Sequence, residues 1–424
     1  MYEDIISYME KYLSPYLFGF RKGYSTEQCL TIMLESWKNA LDNKGTAGAI
    51  LTDLSKAFDC INHNLLLAKL AAYGFDENAL LFIQDYLKDR KQRTKINQSY
   101  SSRLILKYGV PQGSILGPLL FNIFINDMFF FTKSTKIANY ADDCSVYASD
   151  KSNKELLRVL KNEATLLLDW FRINEMKPNG NKCHLIVSDK NTHSVKLGNS
   201  TINSEDTVKL LGVTIDKDLK FTSHVTGLIK SGNLKLHALS RISKYLSEDK
   251  LKIIMKAFIQ SQFNYSPLVW MFHSRILNQK INKLHERALR TVYKNYTLTF
   301  QELLEKDNSV TVHQKNLQRL AIEMFKIKKC ISPKLMNTLF TKKTYQHDLR
   351  QKRSWESFSD RTVRYGKETL RNMGPKIWDL VPIGIKISQS LLEFKQKIKM
   401  WRPTKCPCRL CKTYIHGLGY LTTK

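Results

Sequence analysis

Three aspartates could do chemistry together, although they lie far apart in the sequence. Asp53 directly follows the apolar run 47–52, and Asp142 and Asp143 stand side by side between two short β-rich runs. An ionised carboxylate at the end of a buried strand needs a compensating charge, and adjacent carboxylates repel each other. A divalent cation with oxygen ligands would offset all of these costs together. Two Mg²⁺ ions would also activate an attacking hydroxyl and stabilise a leaving phosphate oxygen.

The neighbouring motifs decide between this chemistry and a simple turn. Taken alone, the Asp142–Asp143 pair is better explained as turn chemistry, because Asp is common in hairpin turns. However, residues 53–59 read DLSKAFD, residues 109–114 read GVPQGS ahead of an apolar helix, and residues 140–143 read YADD. The Gly and Pro residues of GVPQGS predict a turn whose backbone can approach a flat or anionic ligand closely. In this order, the three motifs form a specific constellation.

The elements that would position these motifs predict an α/β first half. Strands are expected at 47–52, 92–97, 103–110, 136–140, 144–148, 184–187 and 208–215. Helices are expected at 65–72, 77–88, 118–131 and 155–171, the last with apolar residues along one face. From about residue 218 the pattern becomes almost wholly helical, with Lys and Arg interleaved among apolar residues.

The positive charge is concentrated in the second half of the chain. The 424 residues include 67 Lys and Arg against 38 Asp and Glu, and residues 217–424 hold 41 and 14 of them. The net charge is therefore +27 in the second half and +2 in the first. Such an excess repels itself unless a polyanion is near, which favours nucleic acid as a partner. The alternative is a basic, solvated surface with no specific partner.

Composition excludes several other classes of protein. No apolar run reaches the ~18 residues that a membrane helix needs, and no basic leader precedes an apolar core at the N-terminus. The eight Cys residues do not resemble a disulfide framework. We therefore expect an intracellular protein of the nucleus and cytoplasm, without a signal peptide, a transmembrane segment or a membrane partner.

The motifs resemble the reverse transcriptase of non-LTR (LINE-type) retrotransposons, close to the jockey-like branch. Residues 17–26 (LFGFRKGYST) resemble the fingers motif, and 51–63, 109–121 and 140–143 resemble three palm motifs. Two further stretches, MKPNGNKCHLIV (176–187) and VKLLGVTID (208–216), resemble the motif that supplies a lysine near the nucleotide and the primer-gripping hairpin. The resemblance is strong over residues 13–216 and diffuse through the basic helices.

This resemblance implies a right-hand polymerase fold with an α+β palm. Fingers and palm would surround an antiparallel sheet within residues 1–216, with the fingers only partial. A helical, thumb-like region would follow at 217–298, and a basic, mostly helical C-terminal region with a Cys-rich tail at 299–424.

The resemblance also implies catalytic residues. Asp53, Asp142 and Asp143 would hold two Mg²⁺ ions, and Leu54 would offer a backbone carbonyl. Lys182 would protonate the departing pyrophosphate, and the alternative is a solvated loop lysine.

Other residues would bind the substrates. Phe58 would be the steric gate that excludes a 2′-hydroxyl and so selects deoxynucleotides. Gln112 would touch the incoming nucleotide and template pair, and Arg21 would contact the triphosphate as a bidentate cation. Leu211 and Gly212 would hold the primer end.

The expected function is that of an RNA-directed DNA polymerase, a nucleotidyltransferase with an RNA template, a DNA primer or duplex, and dNTPs as partners. The family has an earlier fingers strand, whereas only 16 residues precede Leu17 here, so we expect an N-terminally truncated member. The alternative is a truncated, catalytically weak remnant that acts only as a basic nucleic-acid-binding protein. An RNA-dependent RNA polymerase is disfavoured by the bulky Phe58.

The C-terminal end carries a candidate zinc set, Cys406, Cys408, Cys411 and His416. Its Cys-x-Cys start is tighter than the usual two-residue gap. The alternative is a reduced, basic tail whose thiols share no role.

Overall fold

A computed structural model describes residues 1–54, 56–178, 183–198, 200–343, 355–356, 358–403, 408 and 410. The α-helices, in chain order, are α1 (Tyr2–Met9), α2 (Thr26–Asp42), α3 (His63–Ala72), α4 (Glu77–Leu87), α5 (Leu116–Ile125), α6 (Asn153–Ile173), α7 (Thr222–Ile242), α8 (Glu248–Ile254), α9 (Pro267–Trp270), α10 (Arg275–Tyr293), α11 (Phe300–Lys306), α12 (Val312–Lys328), α13 (Lys334–Asn337), α14 (Leu370–Leu380), α15 (Ile383–Lys386) and α16 (Leu391–Ile398).

The β-strands are β1 (Thr46–Thr52), β2 (Lys91–Gln92), β3 (Lys95–Ile96), β4 (Ser99–Tyr100), β5 (Leu104–Ile105), β6 (Lys136–Tyr140), β7 (Asp143–Asp150), β8 (His184–Val187), β9 (Ser194–Leu197), β10 (Ser200–Asn203), β11 (Thr207–Leu210) and β12 (Val213–Asp216). Short 3₁₀ helices occupy Ala57–Cys60, Asn126–Phe130, Ser243–Tyr245 and Gln260–Asn264, and π-helical turns occupy Met255–Ile259 and Val363–Lys367.

The chain divides into two compact units. The first contains residues 1–25 and 46–205, and the second contains residues 26–45 and 206–424. These boundaries differ from the three stretches expected from the sequence, because α2 and the β11–β12 hairpin belong to the second unit. The assignment of fingers, palm, thumb and C-terminal region to these parts stays a prediction.

A four-stranded sheet in the order β6-β7-β1-β8 forms the centre of the first unit, and its neighbouring strands all pair antiparallel. All seven residues of β1 are buried, because β1 lies between two other strands and α6 packs over it. The strands expected at 136–140 and 184–187 have the bounds of β6 and β8, so the expected antiparallel sheet is confirmed.

Helix α6 covers this sheet with one apolar face. Five residues at helical spacing are at most 1% exposed, namely Leu156, Leu160, Ala164, Leu167 and Phe171. A Cβ on Gly48 of β1 would lie 2.9 Å from the backbone oxygen of Ile186 and 3.3 Å from a methyl carbon of Leu160. The close approach of α6 to β1 therefore depends on glycine at position 48.

Helix α2 lies among helices of the C-terminal half within the second unit. Its buried Glu27 accepts hydrogen bonds from the guanidinium of Arg319, the nearer at 3.0 Å. Its buried Glu35 accepts from the first two backbone N–H groups of α14, those of Leu370 and Arg371, at 3.1 Å each. These donors offset part of the cost of burying the two carboxylates and so tie α2 to residues about 290 and 335 positions away.

Four expected elements differ clearly from the structure. The strands expected at 92–97 and 103–110 reduce to two-residue pairings, β2 with β5 and β3 with β4. The helix expected at 118–131 is α-helical only to Ile125 and continues as a 3₁₀ helix. The strand expected at 208–215 is a hairpin, because Leu211 and Gly212 adopt positive φ values of 45° and 78°.

Within the described residues, no helix combines the length and the apolar character that crossing a bilayer requires.

Candidate active site

Strand register places the three aspartates at one end of the central sheet. Thr52 of β1 pairs with Cys144 of β7, so Asp53 continues β1 beside Asp143. Tyr140 of β6 pairs with Asp143, which leaves Asp142 in the turn between the two strands. The backbone pairing thus brings together the residues that the sequence keeps 90 positions apart.

The electrostatics of Asp143 agree with this arrangement. Burial, then the charge of Asp142, then the charge of Asp53 raise the pKa of the Asp143 carboxyl above its usual value. Each effect disfavours the ionised form, so a cation at this point would be stabilised by all three carboxylates. The oxygen-only donor set fits a hard divalent ion. As the side chains stand, no group of three or more His, Cys, Asp or Glu residues in the described part of the chain is arranged to hold a metal ion.

The turn that carries Asp142 is supported by its own strand. Ala141 adopts a positive φ of 57°, a conformation that side chains other than glycine rarely take. The side-chain amide of Asn139 donates to the backbone oxygen of Ala141 at 2.9 Å. This hydrogen bond helps to hold the turn in its strained conformation.

A second support comes from the segment around Gly19. The backbone N–H of Phe18 donates to the oxygen of Asn139 at 3.0 Å, and the side chain of Asn122 donates to the oxygen of Gly19 at 2.8 Å. A Cβ at position 19 would lie only 2.5 Å from the backbone nitrogen of Ala141. Sequence reasoning missed Gly19, although it lies within the LFGFRKGYST motif, because its importance comes from this tertiary approach.

Phe58 lies in the 3₁₀ helix that follows Asp53. Its ring stacks on Phe121 with centroids 4.2 Å apart and meets Phe20 edge-on at 5.7 Å. Two aromatic contacts fix the orientation of a partly buried ring, as a steric gate requires. The gating role itself stays a prediction.

The GVPQGS loop rests on the same 3₁₀ helix. The side-chain amide of Gln112 donates to Asp59 at 2.9 Å, and the backbone N–H of Val110 donates to the oxygen of Phe58 at 3.0 Å. Gly109 has a φ of 89°, and a Cβ there would lie 2.9 Å from the Cα of Asp59. The loop that carries Gln112 is thus held against the segment that carries Phe58 by one side-chain and one backbone hydrogen bond.

A cleft of about 820 Å³ opens beside this loop, within the first unit. Its lining includes cationic and hydrogen-bonding side chains, among them Lys56, His63, Arg90, Tyr108 and Gln112. Such a lining suits an anionic, partly planar ligand.

Arg21 has partners within the chain. Its guanidinium donates to the backbone oxygens of Ser14 at 2.7 Å and Leu17 at 3.1 Å, and it pairs with the carboxylate of Glu10. It also lies 4.2 Å from the ring centroid of Tyr24. Contact with a triphosphate would require this guanidinium to leave its present partners.

Leu211 and Gly212 form the tip of the β11–β12 hairpin in the second unit. The hydroxyl of Tyr265 donates to the oxygen of Leu211 at 2.6 Å. A Cβ at Gly212 would lie 3.1 Å from the ring of Tyr265, so this side chain packs closely beneath the tip.

The remaining predicted site residues are only partly described. Leu54 is buried and forms an isolated antiparallel bridge with Pro178. Cys408 is buried, with its Sγ 3.4 Å from Nε2 of His313. Four further predicted residues lie outside the described residues, namely Lys182, Cys406, Cys411 and His416.

Comparison with known proteins identifies similar sequences. Residues 1–215 match the family described as reverse transcriptase (RNA-dependent DNA polymerase). The probable RNA-directed DNA polymerase from transposon BS of Drosophila melanogaster is 26% identical over 295 residues, which are 66% of this chain and 32% of that protein. The RNA-directed DNA polymerase from mobile element jockey of the same species is 28% identical over 297 residues, with the same shares covered. The chain therefore spans about a third of the length of these relatives.

Among solved structures, apo telomerase from Candida tropicalis aligns with a TM-score of 0.42 and 15% identity, covering 72% of this chain and 50% of that chain. The relatives from BS and jockey confirm the resemblance to non-LTR retrotransposon polymerases that the motifs indicate. The family match covers half of the chain and includes the central sheet, the GVPQGS loop and the three aspartates. The chain therefore belongs to the reverse transcriptase (RNA-dependent DNA polymerase) family.

Proposed function

We propose that this chain is an RNA-directed DNA polymerase of a non-LTR retrotransposon, which transfers a nucleotide from a dNTP to a primer 3′-hydroxyl on an RNA template. The observation that carries the proposal is the pairing of β1 with β7, which sets Asp53 beside Asp143. Family membership and the raised pKa of Asp143 support it.

Asp53, Asp142 and Asp143 would hold two Mg²⁺ ions, with the backbone oxygen of Leu54 as a further ligand. When bound, the ions supply activation of the primer hydroxyl and neutralisation of charge on the departing pyrophosphate. The carboxylates fix where the reacting groups meet, and this positioning contributes most of the catalysis in phosphoryl transfer.

The other site residues would select and hold the substrates. Phe58, fixed by Phe121, excludes a 2′-hydroxyl, and Gln112 faces the nucleotide and template pair. Arg21 contacts the triphosphate, Lys182 donates a proton to pyrophosphate, and the Leu211–Gly212 tip holds the primer. Template sequence is copied by base pairing, so the basic helices after residue 217 need to contact only the nucleic-acid backbone.

A primer-extension assay tests the reaction. The full chain, with an RNA template, a DNA primer, Mg²⁺ and dNTPs, should extend the primer, and Asp142→Asn should abolish extension. Asp150→Asn is the matched control, because Asp150 lies on β7 at the end opposite Asp143. Wild-type chain that fails to extend, but binds the same duplex in a salt-sensitive way, would support the nucleic-acid-binding alternative instead.

A second assay tests the steric gate. Phe58→Ala should lower the preference for dNTP over rNTP by about 10- to 100-fold, because the change opens space for a 2′-hydroxyl. Phe130→Ala, at a phenylalanine that is 73% exposed, should leave the preference unchanged. An unchanged preference in Phe58→Ala would remove Phe58 from the proposed site.

A further inference from the structure

Three buried side chains that can bind metal lie within electrostatic range of one another in the second unit. His273 precedes α10, His313 is the second residue of α12, and Cys408 follows α16. Their exposed fractions are 3%, 5% and 1%. They come from segments 40 and 95 residues apart, so only the tertiary fold brings them together.

The distance between His313 and Cys408 fits two ligands of one zinc ion. Zinc lies about 2.3 Å from a thiolate and about 2.0 Å from an imidazole nitrogen, which puts the two ligands about 3.5 Å apart in a tetrahedron. The observed distance from Nε2 of His313 to Sγ of Cys408 is 3.4 Å. A thiol hydrogen bond to the ring nitrogen would give a similar distance, so the third side chain decides the argument.

His273 has the hydrogen bonding of a metal-bound histidine. Its Nδ1 lies 3.2 Å from the backbone oxygen of Met271, which assigns the ring proton to Nδ1. Its Nε2 is buried and has no hydrogen-bond partner among the described residues. Metal-bound histidines commonly donate one ring N–H to a carbonyl and present the other nitrogen to the metal.

Electrostatics link His273 to the other two residues. Burial and then the charge of His313 lower the pKa of His273 to about 4, and Cys408 opposes the change. Both neighbours therefore lie within electrostatic range of the His273 ring.

We propose that His273, His313 and Cys408 are ligands of a structural zinc ion that joins the chain after α16 to the starts of α10 and α12. As placed, these side chains do not enclose an ion within the described residues, so binding includes a small closing movement and a fourth ligand. This ligand set shares only Cys408 with the one expected from the tail, and it replaces His416 with two histidines of the helical body.

Zinc content of the purified full chain tests the proposal. After removal of loosely bound metal, the wild type should hold about one zinc per chain, and His273→Gln and His313→Gln should each lose most of it. His416→Gln should keep its zinc. His285→Gln is the control for folding, because His285 is also buried and its Nε2 lies 3.0 Å from Gln260.

Cobalt supplies a readout of the thiolate bond. Co²⁺ added to metal-free wild type should produce a thiolate-to-metal charge-transfer band that is absent from Cys408→Ser and retained in His416→Gln. Wild type without zinc, zinc retained in both His273→Gln and His313→Gln, or zinc lost from His416→Gln would overturn the proposal. Equal loss in His285→Gln would also overturn it, since zinc retention would then report only the integrity of the helices.

Discussion

Two aspartates, one in each unit, have opposite electrostatics. Asp42 of α2 is 2% exposed and accepts hydrogen bonds from the backbone N–H and hydroxyl of Thr362, at 2.7 and 2.8 Å. Burial acts to raise its pKa, but the hydrogen bonds from Thr362 and Arg361 outweigh it, and the pKa is lowered. At Asp143, burial and then the charges of Asp142 and Asp53 all act in the same direction, and the pKa is raised.

Asp42 is a carboxylate surrounded by hydrogen-bond donors, whereas Asp143 is surrounded by like charges, as the proposed metal site requires. In the second unit, hydrogen-bond donors surround Asp42 and stabilise its charge in the folded chain. In the first unit, like charges converge, which destabilises the fold and suits the binding of a cationic ligand. Exchanging either aspartate for its neutral amide should therefore give opposite results for stability.

The largest expected effect is on catalysis at Asp143. Asp143→Asn should reduce primer extension at least ~1000-fold, because a metal ligand is lost. In metal-free buffer the same change should raise the melting temperature by roughly 1–3 °C, since it removes a repulsive charge. Calorimetry with chelator and extension assays with Mg²⁺ measure the two effects. A destabilised Asp143→Asn chain would contradict the comparison.

The next effect concerns the support of the turn that carries Asp142. Gly19→Ala should lower primer extension by about 10- to 100-fold, because its Cβ would force the backbone at Ala141 away from its position. Gly227→Ala should leave extension unchanged, because within the described residues the added Cβ meets nothing within 4 Å beyond its chain neighbours and its own helix backbone. Steady-state extension rates of the two variants check this, and equal rates would show that the turn tolerates the displacement.

At Asp42 the main effect should be on stability. Asp42→Asn should lower the free energy of unfolding by about 1–3 kcal/mol, because an amide nitrogen would face a backbone N–H group. Urea unfolding measures the loss. Asp206→Asn is the control, since Asp206 pairs with Lys217 through a carboxylate that is 83% exposed. A neutral Asp42→Asn would mean that the hydrogen bonds of Asp42 contribute nothing to stability.

The smallest effect is a difference in pH dependence. The lowered pKa of Asp42 contributes stability above its unfolded pKa, and this is lost as the pH falls through the folded value. The raised pKa of Asp143 has the opposite sign, so the folded chain gains stability as the pH falls through that raised value towards the unfolded pKa. With chelator present, each variant is compared with the wild type as the pH is lowered. The difference in unfolding free energy between Asp143→Asn and wild type should vanish at a higher pH than the difference between Asp42→Asn and wild type. Urea unfolding between pH 3 and 7 measures both, and the reverse order would contradict the assignment.

The motifs predicted the family and, through it, the central sheet, because each motif can be recognised from a short run of neighbouring residues. Position 53 follows an apolar run, and YADD lies between two strand-like runs, so the individual strands could be predicted from the residues. Their antiparallel sheet was expected only from the family resemblance. The partners of α2 were not accessible in this way. Nothing near Glu27 indicates Arg319, which lies 292 residues further along the chain.

The candidate sites show the same limit. Residue type and order predicted Asp53, Asp142 and Asp143, whereas Gly19 matters through a contact that no periodicity reveals. In the tail, the spacing of the thiols suggested a local zinc set, but Cys408 lies against His313, 95 residues away. Sequence patterns report which groups are present, and packing decides which of them meet.

The division of the chain has a consequence for its synthesis. Helix α2 is translated before the residues that donate to its buried acids, which follow some 290 to 335 positions later. At ~5–20 residues per second, α2 leaves the ribosome on the order of tens of seconds before those partners exist. During that interval α2 cannot pack against its partners, and its apolar and acidic side chains stay exposed. We therefore expect chaperones to bind this helix in the nascent polypeptide.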